Sequence, residues 1–354
     1  MSRIVVGMSG GVDSAVTAYL LKCAGHDVIG VTLKTWLNEE GEVSRCCEID
    51  DANRAAIAMD IPFYTVNCAH EFRSSVVEPF INEYICGRTP SPCVICNRTV
   101  KWAKMLEFAD SMHADYIATG HYASVVKLDN GRYTVKTADS AAKDQAYMLY
   151  RLTQEQLART IMPLGGLTKD EVREIAKTAG LEIANKADSQ EICFITHGSY
   201  SDYIEEHSED YTPKEGNFVD EDGNVLGRHK GIIHYTVGQR KGLGVAMGYP
   251  VFVKRIDAEK NEVVLCRDEA LWGTKIICKD LNFQSIPDIA PGEKIEANVR
   301  IRYRHSGDRA VIERIDDSAV SVLFKTPVRA ATPGQSAVFY DDNGYVIGGG
   351  VISN

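Results

Sequence analysis

The sequence predicts an α/β protein: a parallel sheet covered by helices in the first half, then a β-rich second half. Up to about residue 198, short apolar runs alternate with helix-length amphipathic segments, which is the pattern of βαβ units. Beyond that point, short β-prone runs are cut by Gly, Asp and Asn turns, as in small antiparallel barrels or sandwiches. A further break near 270–280 gives expected units of 1–198, 199–274 and 275–354.

Each element follows from local pattern. RIVVGM (3–8) reads as a buried strand, DSAVTAYLLKCAG (13–25) as a helix closed by glycine, and DVIGVTLKTW (27–36) as a second strand. A helix through 49–60, a strand at 62–67 and a helix through 71–87 follow. In TPSPCVICN (89–97), Pro90 and Pro92 hold Thr89 and Ser91 extended, so Cys93 and Cys96 are expected in a stiff loop before a helix over 97–112. DYIATG (115–120) is the fourth strand, a hairpin turns at Asn130–Gly131, and helical patterns return over 144–160 and 168–180.

Composition narrows the classes. The chain has 354 residues, 44% hydrophobic and 25% charged, which suits a soluble protein of two or three domains. No apolar run approaches the roughly 18 residues a membrane span needs, and the apolar stretch at the N-terminus is too short for a signal peptide. A cytoplasmic protein without a membrane partner is expected, its ten cysteines reduced. The net charge of −10 disfavours indiscriminate nucleic-acid binding. Basic residues nevertheless gather around Arg228 and Lys230, around Arg240 and Lys241, and over 300–309. Any one cluster reads as a solvated turn; three in the C-terminal half of an acidic chain weaken that view.

GMSGGVDSA (7–15) lies between the first strand and first helix, where two glycines permit a tight turn and a helix start offers N–H groups to an anion. It is neither GxGxxG nor a Walker A loop. SGGVDS after an opening strand resembles the PP-loop of the N-type ATP pyrophosphatases, which split ATP into AMP and pyrophosphate. Across the chain, CGRTPSPCVICN (86–97), TGHYA (119–123), KDQAYML (143–149), DSQEICFI (188–195), YTVGQRKGLG (235–244) and TPGQ (332–335) are similar to the motifs of the bacterial tRNA 2-thiouridylase family. That resemblance implies a PP-loop (Rossmann-like) catalytic domain followed by two β-rich, barrel-like domains. It implies ATP and Mg²⁺, a tRNA with a wobble uridine, and an upstream protein that donates persulfide sulfur.

The resemblance also assigns residues. Gly7, Met8, Ser9, Gly10, Gly11, Val12, Asp13 and Ser14 would bind ATP, with Leu33 and Gly120 at strand ends where open α/β sheets bind ligands. Cys193 would carry the persulfide and Cys96 would be its partner nucleophile, freeing sulfur through a transient disulfide. Ser91, Pro92 and Cys93 would face the target base; His121, Lys143, Asp144, Gln145, Arg302, Tyr303 and Gln335 would contact tRNA. Asp144 also reads as a helix cap. Many family members have aspartate where this chain has Cys93, and a thiol serves poorly in acid–base chemistry at neutral pH. Cys93, Cys96 and Cys193 could instead hold an iron–sulfur cluster, the alternative route to the same product. Cys93 reads first as a bystander and next as a cluster ligand; a zinc or redox role comes last, since no second CxxC or CxxH pair completes four zinc ligands. An amide-forming PP-loop ligase is the enzymatic rival, although amidation needs no paired thiols, and a non-catalytic tRNA- or nucleotide-binding module is the other.

Overall fold

The first strand sets the layout. In the computed structural model, which describes residues 1–35, 48–181, 192–208 and 211–353, Ile4, Val5 and Val6 of β1 (Arg3–Gly7) are fully buried. Successive strand side chains point to opposite faces, so burying all three requires cover on both sides. Ile4 and Val6 enter one core with Val16 of α1 (Val12–Cys23), whereas Val5 enters a second with Ile29, Ile117 and Trp102. β1 pairs in parallel with β2 (Asp27–Lys34) and β4 (Tyr116–Ala118). β3 (Phe63–Asn67) and β7 (Thr160–Ile161) complete the order β3-β2-β1-β4-β7. The two-residue β7 is too short for its pattern to stand out in the sequence.

The connections match expectation except at the CxxC segment and over 144–160, where the expected helical stretch is a 3₁₀ turn at Ala146–Leu149 and a short helix at Gln154–Ala158, with Thr160 already in β7. α1 closes at Gly25, whose φ of 83° accepts the left-handed cap. α2 (Ile49–Ala58) follows β2; α3 (Ala69–Phe72), a π-helical turn and α4 (Glu78–Ile85) form the expected long helix. The CxxC segment, expected as a loop, is helical: Cys93 and Cys96 lie in α5 (Pro92–Cys96). Proline at the first helical position suits a helix start, because its missing N–H is one the first turn leaves unpaired. The extended stretch ends at Ser91, and the helix runs through a π-helical Asn97–Trp102 into α6 (Ala103–Ser111). β5 (Ala123–Lys127) and β6 (Tyr133–Thr137) form the expected hairpin, closed at Gly131. α7 (Gln154–Ala158) and α8 (Lys169–Thr178) both start with capping boxes.

An unexpected helix, α9 (Tyr200–His207), opens the second half on a Ser199–Asp202 capping box. β8 (Gly216–Val219), β9 (Val225–His229), β10 (Phe252–Asp257) and β11 (Glu262–Cys266) then make a sheet ordered β10-β11-β8-β9. Its β8–β11 pairing is parallel, unlike the antiparallel pattern expected there. The last unit is a closed six-stranded barrel of β12 (Trp272–Phe283), β13 (Lys294–Arg300), β14 (Asp308–Asp316), β15 (Ala319–Arg329), β16 (Ser336–Tyr340) and β17 (Val346–Ile352). The boundary expected between 274 and 275 falls inside β12.

The barrel docks on the first unit through a buried polar seam. Gln284 is wholly buried; its Oε1 accepts from Val135 N at 3.0 Å and its Nε2 donates to Leu149 O at 2.9 Å. Asp144 is buried with its Oδ1 accepting from Ala138 N and Ala146 N, while Arg300 Nη1 donates to Oδ2 at 2.6 Å. Arg300 also lies over the Tyr340 ring, 4.7 Å from its centroid. Removing one partner of such a pair leaves an uncompensated charge in the seam. Arg300→Met is therefore expected to destabilise the protein by about 3 kcal/mol, read as a lower urea midpoint, with Asp144→Asn added to it recovering part of the loss.

Candidate active site

The order β3-β2-β1-β4-β7 reverses direction at β1, and the first loop occupies the crevice between the C-terminal ends of β1 and β4. Met8 is buried, its N–H donating to Val31 O at 2.8 Å. Gly10 has φ 77°, and a Cβ there would lie 2.5 Å from Glu48 O. Ser9 N donates to Ser14 Oγ at 3.1 Å, and Ser14 Oγ donates to Gly11 O at 2.9 Å, so the loop is braced by its own hydroxyl. Gly11 is the N-cap of α1 with no side-chain cap, which leaves the first-turn N–H groups for an anion. Gly120 serves this loop by close approach: a Cβ on it would lie 2.8 Å from Asp13 C and Ser14 N.

Asp13 is engaged within the protein. Its carboxylate accepts from Lys169 Nζ on both oxygens at 2.8 Å and from the Tyr122 hydroxyl at 2.7 Å. Lys169, nearly buried at the first position of α8, thereby ties a distant helix to the start of α1. The sequence reading missed both anchors. The signals available were Tyr122 inside TGHYA, and a lysine directly after a capping threonine, where acidic residues are usual.

Cys96 and Cys193, far apart in the chain, meet in one apolar cluster. Cys96 is buried there with Phe72, Phe80, Val100 and Phe194; partly buried Cys193 and Leu33 pack against the same group. Tyr203 lies close enough to Cys193 for the thiol's charge to act on its phenol, whose pKa burial raises first and Cys193 raises further. A third thiol in the cluster, Cys68, is pushed up to about 11, chiefly by burial, and so stays protonated at neutral pH. Burial likewise raises Cys266 to about 11 and Cys278 to about 12. Cys93, one turn before Cys96, is exposed. Among the described residues, no three His, Cys, Asp or Glu side chains stand together to hold a metal ion. Cys46, Cys47 and the first residues of DSQEICFI (188–191) lie outside the described residues.

The barrel reaches the cysteine helix through the turn 332–335. Gly334, φ 91°, lies so close to Thr89 that a Cβ would be 2.8 Å from Thr89 O. Thr89 N donates to Pro333 O at 2.9 Å. Gln335 Nε2 donates to Thr89 O at 3.0 Å and Pro90 O at 3.1 Å, just ahead of Ser91, Pro92 and Cys93. Gln335, expected as an RNA contact, thus has its amide engaged within the protein. Asp144 is likewise buried and paired; its Oδ1 accepts from Ala146 N, but the N-cap of the 3₁₀ turn Ala146–Leu149 is Gln145, not Asp144. Gln145 Oε1 accepts from Tyr122 N at 2.9 Å. His121 bonds through Nδ1 with Thr119 Oγ1 at 3.0 Å and tilts against Trp102. Burial, then the Lys101 charge, lowers its pKa to about 3, so the ring is neutral near pH 7 and offers no cation to a phosphate. Arg302 and Tyr303 are exposed on the barrel, Tyr303 leaning on Tyr147 at 6.1 Å between centroids.

Comparison with known proteins agrees along the chain. A family model described as tRNA methyl transferase HUP domain matches residues 2–197, one described as PRC-barrel domain of the same group matches 201–267, and an aminomethyltransferase beta-barrel domain matches 273–352. The tRNA-specific 2-thiouridylase MnmA of Lachnoclostridium phytofermentans is 50% identical, with 99% of both chains covered. The protein of that name from Acetivibrio thermocellus is 48% identical at the same coverage. Among solved structures, the U34-tRNA thiolase NcsA from Methanococcus maripaludis with its 4Fe–4S cluster has 21% identity and a TM-score of 0.35 over 55% of this chain and 61% of that one. A likeness at that level bears on neither substrate nor cluster.

Two outcomes test the geometry. Gln335→Ala removes the amide that holds Thr89 and Pro90, and is expected to lower kcat about tenfold or more and to speed alkylation of exposed Cys93. Weaker RNA binding at unchanged kcat and unchanged alkylation would instead make Gln335 an RNA contact. Lys169→Met is expected to lower stability by roughly 1–3 kcal/mol and to shrink the rise in melting temperature given by ATP, both followed by thermal unfolding.

Proposed function

The chain belongs to the tRNA-specific 2-thiouridylase family, and we propose that it converts the wobble uridine of tRNA to 2-thiouridine using ATP and cysteine-bound persulfide sulfur. The uracil 2-carbonyl oxygen attacks the α-phosphorus of ATP, and pyrophosphate leaves from the loop formed by Ser9, Gly10, Gly11 and Ser14. Oxide is a poor leaving group; as part of AMP the same oxygen leaves readily. The terminal sulfur of a Cys193 persulfide attacks C2 and AMP departs. The Cys96 thiolate then attacks the Cys193 sulfur, breaking the persulfide bond: the transferred sulfur stays on the base and a Cys96–Cys193 disulfide forms. A thiol reductant returns both cysteines.

The observation that carries this reading is the packing of Cys96 and Cys193 in one cluster beside Leu33, at the end of β2. Burial of Cys68 keeps the neighbouring thiol out of the chemistry. The exposure of Cys93 favours the persulfide route over a cluster on three cysteines and makes Cys93 a bystander at the target-base segment with Ser91 and Pro92. An amide-forming ligase would have no use for the thiol pair. Gly7 to Ser14 bind the nucleotide, with Leu33 and Gly120 towards its adenine. Mg²⁺ enters with the triphosphate, since the Asp13 carboxylate is committed to Lys169. His121, Lys143, Gln145, Arg302 and Tyr303 contact tRNA, while Asp144 and Gln335 position the seam and the cysteine helix. We take 1–198 as the catalytic unit and 199–271 and 272–354 as the β-rich units. No helix among the described residues is long and apolar enough to cross a membrane; the reaction belongs in the cytoplasm, with sulfur delivered by a persulfide-carrying protein.

Nucleoside mass spectrometry on unmodified tRNA incubated with protein, Mg-ATP and a persulfide donor tests this. Cys193→Ser and Cys96→Ser are expected to cut product formation by about a thousandfold or more, and Cys93→Ala to retain it. Wild-type turnover by Cys193→Ser would overturn the scheme.

A further inference from the structure

The chain is acidic, with a net charge of −10, and many of its cations sit beside carboxylates: Arg3 by Asp27, Arg88 by Glu83, Arg159 by Asp110, Arg314 by Asp288. Arg240, Lys241, Arg302 and Arg304 differ. All four are exposed, and among the described residues none has a carboxylate partner. They come from two units that touch. The position of a Cβ on Gly238 lies 3.0 Å from Ala330 Cβ and 3.8 Å from Arg329 Nη1, and Arg302 Nη1 donates to Arg329 O at 3.1 Å. Arg329 is itself fixed, donating through Nε and Nη2 to Asp268 at 3.0 and 2.8 Å. Tyr303, next to Arg302, leans on Tyr147 of the first unit at 6.1 Å between centroids; its pKa is raised by burial first and then by Asp144, against the opposing charges of Lys143, Arg304 and Arg300.

The loop bearing Arg240 and Lys241 is built rather than frayed. Gln239 Oε1 accepts from Thr236 N at 3.0 Å and its Nε2 donates to Lys241 O at 3.0 Å. Gly238 N donates to Val253 O, and Val253 N donates to Gln239 O, which pins the turn to β10. A braced loop presents two cations with little further ordering, as a backbone-phosphate contact needs.

Building on the proposed function, we infer that Arg240 and Lys241 are a second hold on tRNA, binding backbone phosphates outside the reacting nucleotide as the far end of one cationic face with Arg302 and Arg304. Extruding a base to the cysteines requires grips elsewhere on the same RNA. Phosphate contacts of this kind position the RNA without reading its sequence.

The test is the salt dependence of affinity for a fluorescently labelled, unmodified tRNA with a wobble uridine. Each duplex phosphate contact contributes about 0.9 to the slope of log K against log salt. Arg240→Ala/Lys241→Ala is expected to flatten that slope by about 1.8 and to raise Kd severalfold or more at low salt, while Arg240→Lys/Lys241→Arg keeps the wild-type slope. Lys294→Ala/Lys325→Ala, which removes two barrel cations paired with Glu313 and Glu296, controls for net charge. An unchanged slope in the Arg240/Lys241 alanine variant, or an equal flattening in the control, overturns the inference. If wild type makes no 2-thiouridine, the proposed function fails instead.

Discussion

The contact of Gly334 with the Thr89 backbone is the constraint on which the cysteine site depends. Helix α5 starts three residues later, so whatever fixes Thr89 and Pro90 fixes where Cys93 and Cys96 stand. Only glycine permits the approach, because φ is positive and a Cβ would meet backbone. The Thr89–Pro333 and Gln335 hydrogen bonds then satisfy peptide groups of a half-buried loop that would otherwise lack protein partners. The catalytic unit and the barrel are one device at this point, and the Asp144–Arg300 pair and the buried Gln284 hold them in register.

A similar logic governs the nucleotide side. The loop between β1 and α1 is shaped less by its own residues than by what abuts them: Gly120, two residues past β4, against the start of α1, and Lys169 from α8 on Asp13. Sites at the reversal of a parallel sheet gain rigidity this way, since the two strands flanking the crevice bring elements from both directions of the chain.

What the sequence made legible follows from the range of each signal. The parallel sheet, the hairpin at Gly131 and the glycine-closed α1 rest on local periodicity and turn chemistry, and they appear as read. The helical state of Cys93 and Cys96 was missed because two prolines argue for extension, while Pro92 also suits a first helical position; local rules allow both. Helix α9 escaped because its β-prone neighbours outweighed a capping box at Ser199. The partners of Asp144, Gln335 and Lys169 could not have been read from sequence, because Arg300, Thr89 and Asp13 are distant from them in the chain. Motif resemblance marks such positions without distinguishing a residue that touches RNA from one that holds the protein to itself.

The clamp from Gln335 to Thr89 spans 246 residues of sequence. Closing so long a loop carries an entropic penalty that only the completed barrel can offset. During synthesis the phosphate loop and the cysteine helix emerge well before the turn that seats them. A nascent chain can therefore fold its parallel sheet while Thr89 and Pro90, just ahead of the cysteine helix, are still unheld, and that helix gains its last anchor only when the far barrel closes.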